Sequence, residues 1–167
     1  MEFRERKSPR LKGYDYSLPG AYFVTICTKD RKNLFEIESV GNDLCVVHPQ
    51  NALIHKWIKE TENKYPNVKI DKYVIMPNHI HIIIIIKERH IGRSLHDIVR
   101  WFKTMVTNQY ITLVKDGEIT AFDKKIWQRS FHDHIIRGDD DYLKIWNYID
   151  TNPLKWELDC FYTKKPQ

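Results

Sequence analysis

Five consecutive isoleucines, Ile82 to Ile86, follow directly on His79-Ile80-His81. β-Branched side chains lose rotamer freedom in a helix and pack well on a pleated surface. The run is also short, so a buried central strand is predicted. Side chains alternate between the two faces of a strand. His79 and His81 then share one face, and Ile80 enters the opposite layer. Two imidazoles one strand repeat apart can bind a single metal ion. The same spacing also suits hydrogen-bonded histidines at a strand end, and a His-x-His by itself does not decide between them. Pro77-Asn78 separates this strand from another predicted over 68–76. The two pair as neighbours or continue through a bend, and a kink there would open the sheet around the histidines.

The rest of the chain supplies partners for that sheet. Residues 21–28 alternate, with Tyr22, Val24 and Ile26 on one face and Phe23, Thr25 and Cys27 on the other, which predicts a first strand. Residues 34–37 and 44–47 are short strand candidates around Gly41-Asn42, together a hairpin. Residues 49–63 carry a helical stripe of Leu53, Ile54, Trp57 and Ile58, closed by Pro66. Ser94 and Asp97 form an acidic variant of the capping box, opening a helix to about Tyr110. Its core face is Leu95, Ile98, Val99, Phe102, Met105 and Val106. Residues 126–137 read as extended and contain a second His-x-His, His132 and His134, flanked by polar residues. A last helix starts near Asp139-Asp140-Asp141, whose charges suit the positive end of a helix dipole. It ends at Asn152, which precedes Pro153. Tyr148 lies beside the apolar stripe of that helix and four residues before Asn152, so the two share a face. It can present its hydroxyl to a cleft or serve as a boundary tyrosine.

Composition narrows the class. The 167 residues are most simply one domain, with a basic, extended arm over 1–13. The hydrophobic share of 42% excludes a disordered chain. A net charge of +5 and a pI of about 9.0 favour an anionic partner, nucleic acid first. Cys27, Cys45 and Cys160 are odd in number, match no zinc spacing and suggest a reducing cytoplasm. The charged N-terminus lacks a signal-peptide pattern, and the isoleucine run is far too short to span a bilayer. Single strands are held by basic grooves with stacking aromatics. Arg10, Arg100, Lys103, Lys124, Lys125 and Arg129 are the candidate cations, and Trp101, Phe102, Trp127 and Phe131 the candidate aromatics. An ordinary solvated face and an ordinary core account for the same residues.

Four blocks in order carry a family resemblance. They are Ser8-Pro9-Arg10 through Gly20-Ala21-Tyr22-Phe23-Val24-Thr25, Tyr73 through His81, Trp127-Gln128-Arg129-Ser130-Phe131 with Asp133-His134, and Tyr148-Ile149 with Asn152-Pro153. Together they resemble the HUH-type single-tyrosine transposases of small bacterial insertion sequences, above all their REP-associated branch. The resemblance covers nearly the whole chain. It implies an α+β fold with a central antiparallel sheet, ferredoxin-like in arrangement, and helices packed on it. It implies an enzyme that cleaves and rejoins single-stranded DNA beside a hairpin through a 5′-phosphotyrosine. Carried over, Tyr148 is the nucleophile, His79 and His81 are metal ligands, and Asn152 stands where the family places a polar third ligand. His134 would sit next to the site, behind the ligands. Mg2+ or Mn2+ is the expected ion, and histidine ligands lean towards Mn2+. A non-mobile hairpin-binding protein and a hydrolytic nuclease using water are the rival readings. The short connection at Gly138-Asp139-Asp140 favours a monomer over a dimer with exchanged tyrosine helices.

Overall fold

The computed structural model describes residues 11, 13–37, 48–89 and 94–163. Four strands form one antiparallel sheet: β1 (Gly20–Cys27), β2 (Val68–Met76), β3 (His79–Ile86) and β4 (His132–Ile136). Their spatial order is β2-β3-β1-β4. Helix α1 (Pro49–Lys64) connects β1 to β2, and α2 (Leu95–Lys115) connects β3 to β4. This is the βαββαβ, ferredoxin-like arrangement. Helix α3 (Asp139–Thr151) follows β4, and a 3-10 turn over Pro153–Leu158 leads into the last described residues. The expected α+β sheet is therefore what forms.

The isoleucine run is the central strand, paired along its length to β1 on one side and β2 on the other. Alternation divides it between two layers. Ile80, Ile82, Ile84 and Ile86 join Tyr22, Val24 and Ile26 beneath α1 and α2. Leu53, Ile54 and Ile58 of α1 and Ile98, Val99 and Phe102 of α2 close that core. Burying each such aliphatic side chain contributes about 1.5–3 kcal/mol. His79, His81 and Ile83 face the other way, towards α3.

Several expectations need correction. Pro77-Asn78 is a tight hairpin turn, with pairing intact through Met76 and His79, so the sheet does not open at the histidines. The ladder is irregular instead between Ile70 and Lys72. Residues 34–37 are not a strand: Leu34 and Phe35 both donate their N–H groups to the Pro77 carbonyl, at 2.9 and 3.0 Å, bracing that turn. The partner strand expected at 44–47, the arm to residue 10, and Arg10 itself lie outside the described residues. Helix α2 has its capping box at Ser94 and Asp97 but continues five residues beyond Tyr110, to Lys115. Within the extended stretch 126–137 only β4 is a strand, with Trp127 forming an isolated bridge to Thr28.

Helix α3 is fixed to the sheet by polar contacts more than by apolar burial, since Ile149 is its one buried residue. Gly138 precedes it at φ 81°, a conformation that costs glycine nothing. Asp141 accepts from the Arg137 N–H at 2.9 Å and from His134. Tyr142 donates to Asp71. The Lys72 ammonium lies 3.1 Å from the centroid of Trp146 and pairs with Asp150 at 2.5 Å.

Candidate active site

His79 and His81 sit at the start of the central strand, between Cys27 and Met76 at one rung and between Thr25 and Val74 at the next. Both are closed off from solvent, at 0% and 1% exposure. Their Nε2 atoms converge to 2.9 Å. The opposite ring nitrogens are each held from behind: His79 Nδ1 by Asn78 Oδ1 at 2.9 Å and His81 Nδ1 by Thr25 Oγ1 at 2.8 Å. The Asn78 amide is oriented by its Nδ2, which donates to the Phe161 carbonyl at 2.8 Å. Its oxygen must therefore accept from His79, which places the proton on Nδ1 and leaves the Nε2 lone pair facing inward. The Thr25 hydroxyl can donate to His81 Nδ1 or accept from it, so this contact suits either tautomer.

Helix α3 brings Tyr148 to the pair. Its hydroxyl lies 3.2 Å from His81 Nε2, and its ring packs edge-on to His81 with centroids 5.1 Å apart. One turn on, Asn152 is buried, and its Oδ1 has no hydrogen-bond partner. An orphaned buried amide oxygen is costly unless something supplies a positive charge or a donor. Asp159 completes the cluster. Its Oδ2 accepts from Tyr148 at 3.2 Å and from Asn152 Nδ2 at 2.8 Å, and its Oδ1 accepts from the Phe161 N–H at 2.7 Å. One ligand atom from each of His79, His81 and Asp159 falls within a 4.8 Å group. The inward lone pair of His79, the Nε2 of His81 (which the Thr25 contact lets give up its proton to Nδ1), a carboxylate and an orphaned amide oxygen form a mixed nitrogen and oxygen donor set, which fits a divalent cation.

Electrostatics support that use. Burial pushes His79 down to about 4, against a weaker opposing pull from Asp159. Burial and the neighbouring His79 hold His81 well below the ordinary histidine value. Both rings are therefore neutral near pH 7, as ligands must be. Burial, followed by the Asp159 charge, raises Tyr148 far above the ordinary phenol value, so its hydroxyl keeps its proton.

The segment after α3 roofs the cluster. The Phe161 ring lies tilted against His79 at 4.7 Å, and Trp156 lies 5.9 Å from it, centroid to centroid. Arg31 holds this roof by donating to the Cys160 carbonyl at 3.1 Å, with its guanidinium 4.9 Å from the Phe161 centroid. Asp30 and Arg31 both have φ near +55°, at 55° and 53°, a strained conformation often found where a side chain must be aimed.

Of the residues expected from sequence, His79, His81, Tyr148 and Asn152 come together. His134 shares their sheet face but bonds Asp141 at 2.8 Å, and so steadies the start of α3. Its neighbour His132 is exposed on the edge strand, and among the described residues this second His-x-His forms no ligand cluster. Arg100, Lys103, Lys124, Lys125 and Arg129 gather in a groove on the other side of the sheet, beside α2. Sequence reasoning missed Asp159, Asn78 and the Phe161 roof. Asp159 lies in a short turn with no periodicity or motif around it. Asn78 stood in the quoted motif, but only its amide contacts reveal its role.

The family model described as "Transposase IS200 like" matches residues 20–152. A Haemophilus influenzae protein named "Uncharacterized protein" is 36% identical over 94% of this chain and 93% of its own length. A second protein from that organism, named "Putative REP-associated tyrosine transposase", is 28% identical over 84% of this chain and 74% of its own length. Among solved structures, a REP-associated tyrosine transposase bound to a REP hairpin superposes with a TM-score of 0.64. It is 24% identical and covers 88% of this chain and 73% of its own. That likeness supports the fold, and the family match extends over most of the chain. The chain belongs to the IS200-like transposase family, with REP-associated tyrosine transposases among its relatives.

Proposed function

We propose that the chain cleaves and rejoins single-stranded DNA beside a hairpin, with Tyr148 as nucleophile and with His79, His81 and the oxygens of Asp159 and Asn152 as the metal-holding set. The observation that carries this reading is the Tyr148 hydroxyl, 3.2 Å from the Nε2 of His81, itself one of two convergent imidazoles. The Tyr148 oxygen attacks phosphorus, and the bond to the 3′ oxygen breaks. The downstream strand stays on the protein as a 5′-phosphotyrosine, and the upstream strand leaves with a 3′ hydroxyl. Asp159 Oδ2, which already accepts from Tyr148, takes the phenolic proton, and a proton passes in turn to the departing 3′ oxygen. A later attack by a 3′ hydroxyl reverses the step, because a phenolate is a better leaving group than an alkoxide. A divalent cation bound in this set would polarise the scissile phosphate and steady the charge on the departing 3′ oxygen. Imidazole nitrogens in the set favour Mn2+ over Mg2+.

The tyrosine helix packs on β2 and β3, and in this reading the enzyme acts in cis as a monomer. Asn152 offers its orphaned oxygen as a ligand, and its Nδ2 meanwhile orients Asp159. The near-complete burial of both imidazoles favours a second reading, a protein that binds hairpin DNA without cutting it. A denaturing gel separates the two. Labelled hairpin DNA with single-stranded flanks should form a covalent adduct with Mn2+, none with EDTA and none with Tyr148→Phe. Cutting that persists unchanged in Tyr148→Phe without an adduct would instead identify a hydrolytic nuclease.

A further inference from the structure

A groove of about 620 Å3 runs between α2 and the segment leading into β4. It lies on the α-helical side of the sheet, with the His79/His81 pair on the other side. Its floor is apolar, with Phe122, Ile126, Trp127 and Ile111 among its residues, and Ile111 is exposed although large and apolar. Its rim carries Arg100, Lys124, Lys125 and Arg129, all exposed. Lys103 lies deeper, its ammonium donating to the Gln128 carbonyl at 2.7 Å, and this bond ties the loop to α2. Among the described residues, no acidic side chain lines the groove. From outside it, Asp97 pairs with Arg100 at 2.5 Å, which leaves Lys124, Lys125 and Arg129 as the cations of the loop side. Lys124 is held at φ 57°, an unusual conformation for lysine, which sets it and Lys125 at the rim.

An apolar floor beneath a basic rim matches a nucleotide with an exposed base better than a duplex, which offers phosphates but hides its base faces. The volume lies within the range of about 300–1,000 Å3 typical of pockets that enclose a small organic ligand. The groove also reaches the segment that leads into β4. Its wall runs through Arg129 and Phe131 directly into His132, the first residue of β4. β4 is an edge strand, and His132 and His134 lie on its active-site face.

We propose that this groove is a second DNA contact, holding unpaired nucleotides of the strand whose scissile phosphate reaches Tyr148, so that the strand passes around the β4 edge. The proposal rests on the reading of DNA as substrate. It adds a binding site on the opposite face of the sheet, selective for unpaired nucleotides.

Binding without chemistry tests it separately from that reading. Fluorescence anisotropy in EDTA, on a Tyr148→Phe background, compares one hairpin with short single-stranded flanks and without them. Lys124→Gln/Lys125→Gln/Arg129→Gln should weaken binding of the flanked hairpin at least ~10-fold and lower its salt slope by about 2. The blunt hairpin should change by no more than ~3-fold. Phe122→Ala should weaken the flanked hairpin by about 5-fold or more through lost stacking. Lys59→Gln/Lys64→Gln/Lys87→Gln, an equal charge change at exposed sites outside the groove, should have little effect on either. Equal losses from the two triple variants would overturn the proposal. So would equal losses for flanked and blunt hairpins, which would assign the groove to duplex backbone. If the groove variants bind as wild type here, and the protein with Tyr148 intact forms its adduct normally with Mn2+ in a separate reaction, the enzyme reading stands and the groove is removed from it.

Discussion

Thr25→Val removes one hydroxyl and keeps the side-chain shape. Thr25 is 4% exposed, and it enters the site through the 2.8 Å contact to His81 Nδ1. The change leaves that ring nitrogen buried without a partner, which costs about 1–3 kcal/mol of stability. For a chain of this size each kcal/mol lowers Tm by about 2–4 °C, so a fall of about 2–12 °C is expected. The larger consequence concerns the ring's aim. A ligating imidazole that loses the partner on its far nitrogen typically loses 10–100-fold in metal affinity, about 1.4–2.8 kcal/mol. Mn2+ binding followed by electron paramagnetic resonance, with circular dichroism melts in EDTA, measures both effects. Thr25→Ser keeps the hydroxyl and should retain most of the affinity. The reasoning is refuted if Thr25→Val stays folded and binds Mn2+ within a factor of two of wild type. A drop in Tm alone would make the contact structural.

Three further outcomes follow from the same geometry. Asp159→Asn should weaken Mn2+ binding and adduct formation together, because it removes a negative ligand and the acceptor for the Tyr148 proton; an unchanged adduct rate would exclude both roles. With EDTA present, stability should fall as pH drops from 6.5 to 4. His79 stays neutral in the folded state down to about 4 but protonates near 6.5 when unfolded, so the unfolded state binds more protons in that window. The loss approaches about 3 kcal/mol at the lower end, at 1.36 kcal/mol per pH unit, and urea unfolding at pH 7 and pH 5 would detect it. Phe161→Ala should open the roof over His79 and raise its pKa back towards 6.5, since burial is the main cause of its depression. An NMR titration that leaves this histidine near 4 would count against the roof.

The sheet was legible because its chemistry is periodic. Alternation in β1 separated Tyr22, Val24 and Ile26 from Phe23, Thr25 and Cys27, and these are the core and site faces observed. The isoleucine run had no plausible place except the centre of a sheet. Tyr148 and Asn152 were legible as neighbours because four residues make one helical turn. The parts that failed depend on contacts between distant segments. Residues 34–37 look like a strand by composition, but the N–H groups of Leu34 and Phe35 go to Pro77, more than forty positions away, and that of Glu36 goes to the Asn51 side chain. Asp159 reaches the site only because the chain turns back after Pro153, and nothing in Trp156-Glu157-Leu158-Asp159 signals that return. His134 looked like a partner for the ligands, yet the acidic start of α3 provides a closer charge in Asp141. Cations scattered through the chain became a groove only once α2 was set beside residues 122–131.

The central claim is that Tyr148 takes the strand at phosphorus and releases a 3′ hydroxyl. It is tested most directly by locating the covalent bond. Flanked hairpin DNA labelled separately upstream and downstream of the cleavage point would be incubated with Mn2+, and the adduct digested and sequenced by tandem mass spectrometry. The account predicts that the downstream label alone stays on the protein, on the peptide containing Tyr148, linked through a 5′ phosphate. An adduct carrying the upstream label, or one mapped to another residue, would contradict it.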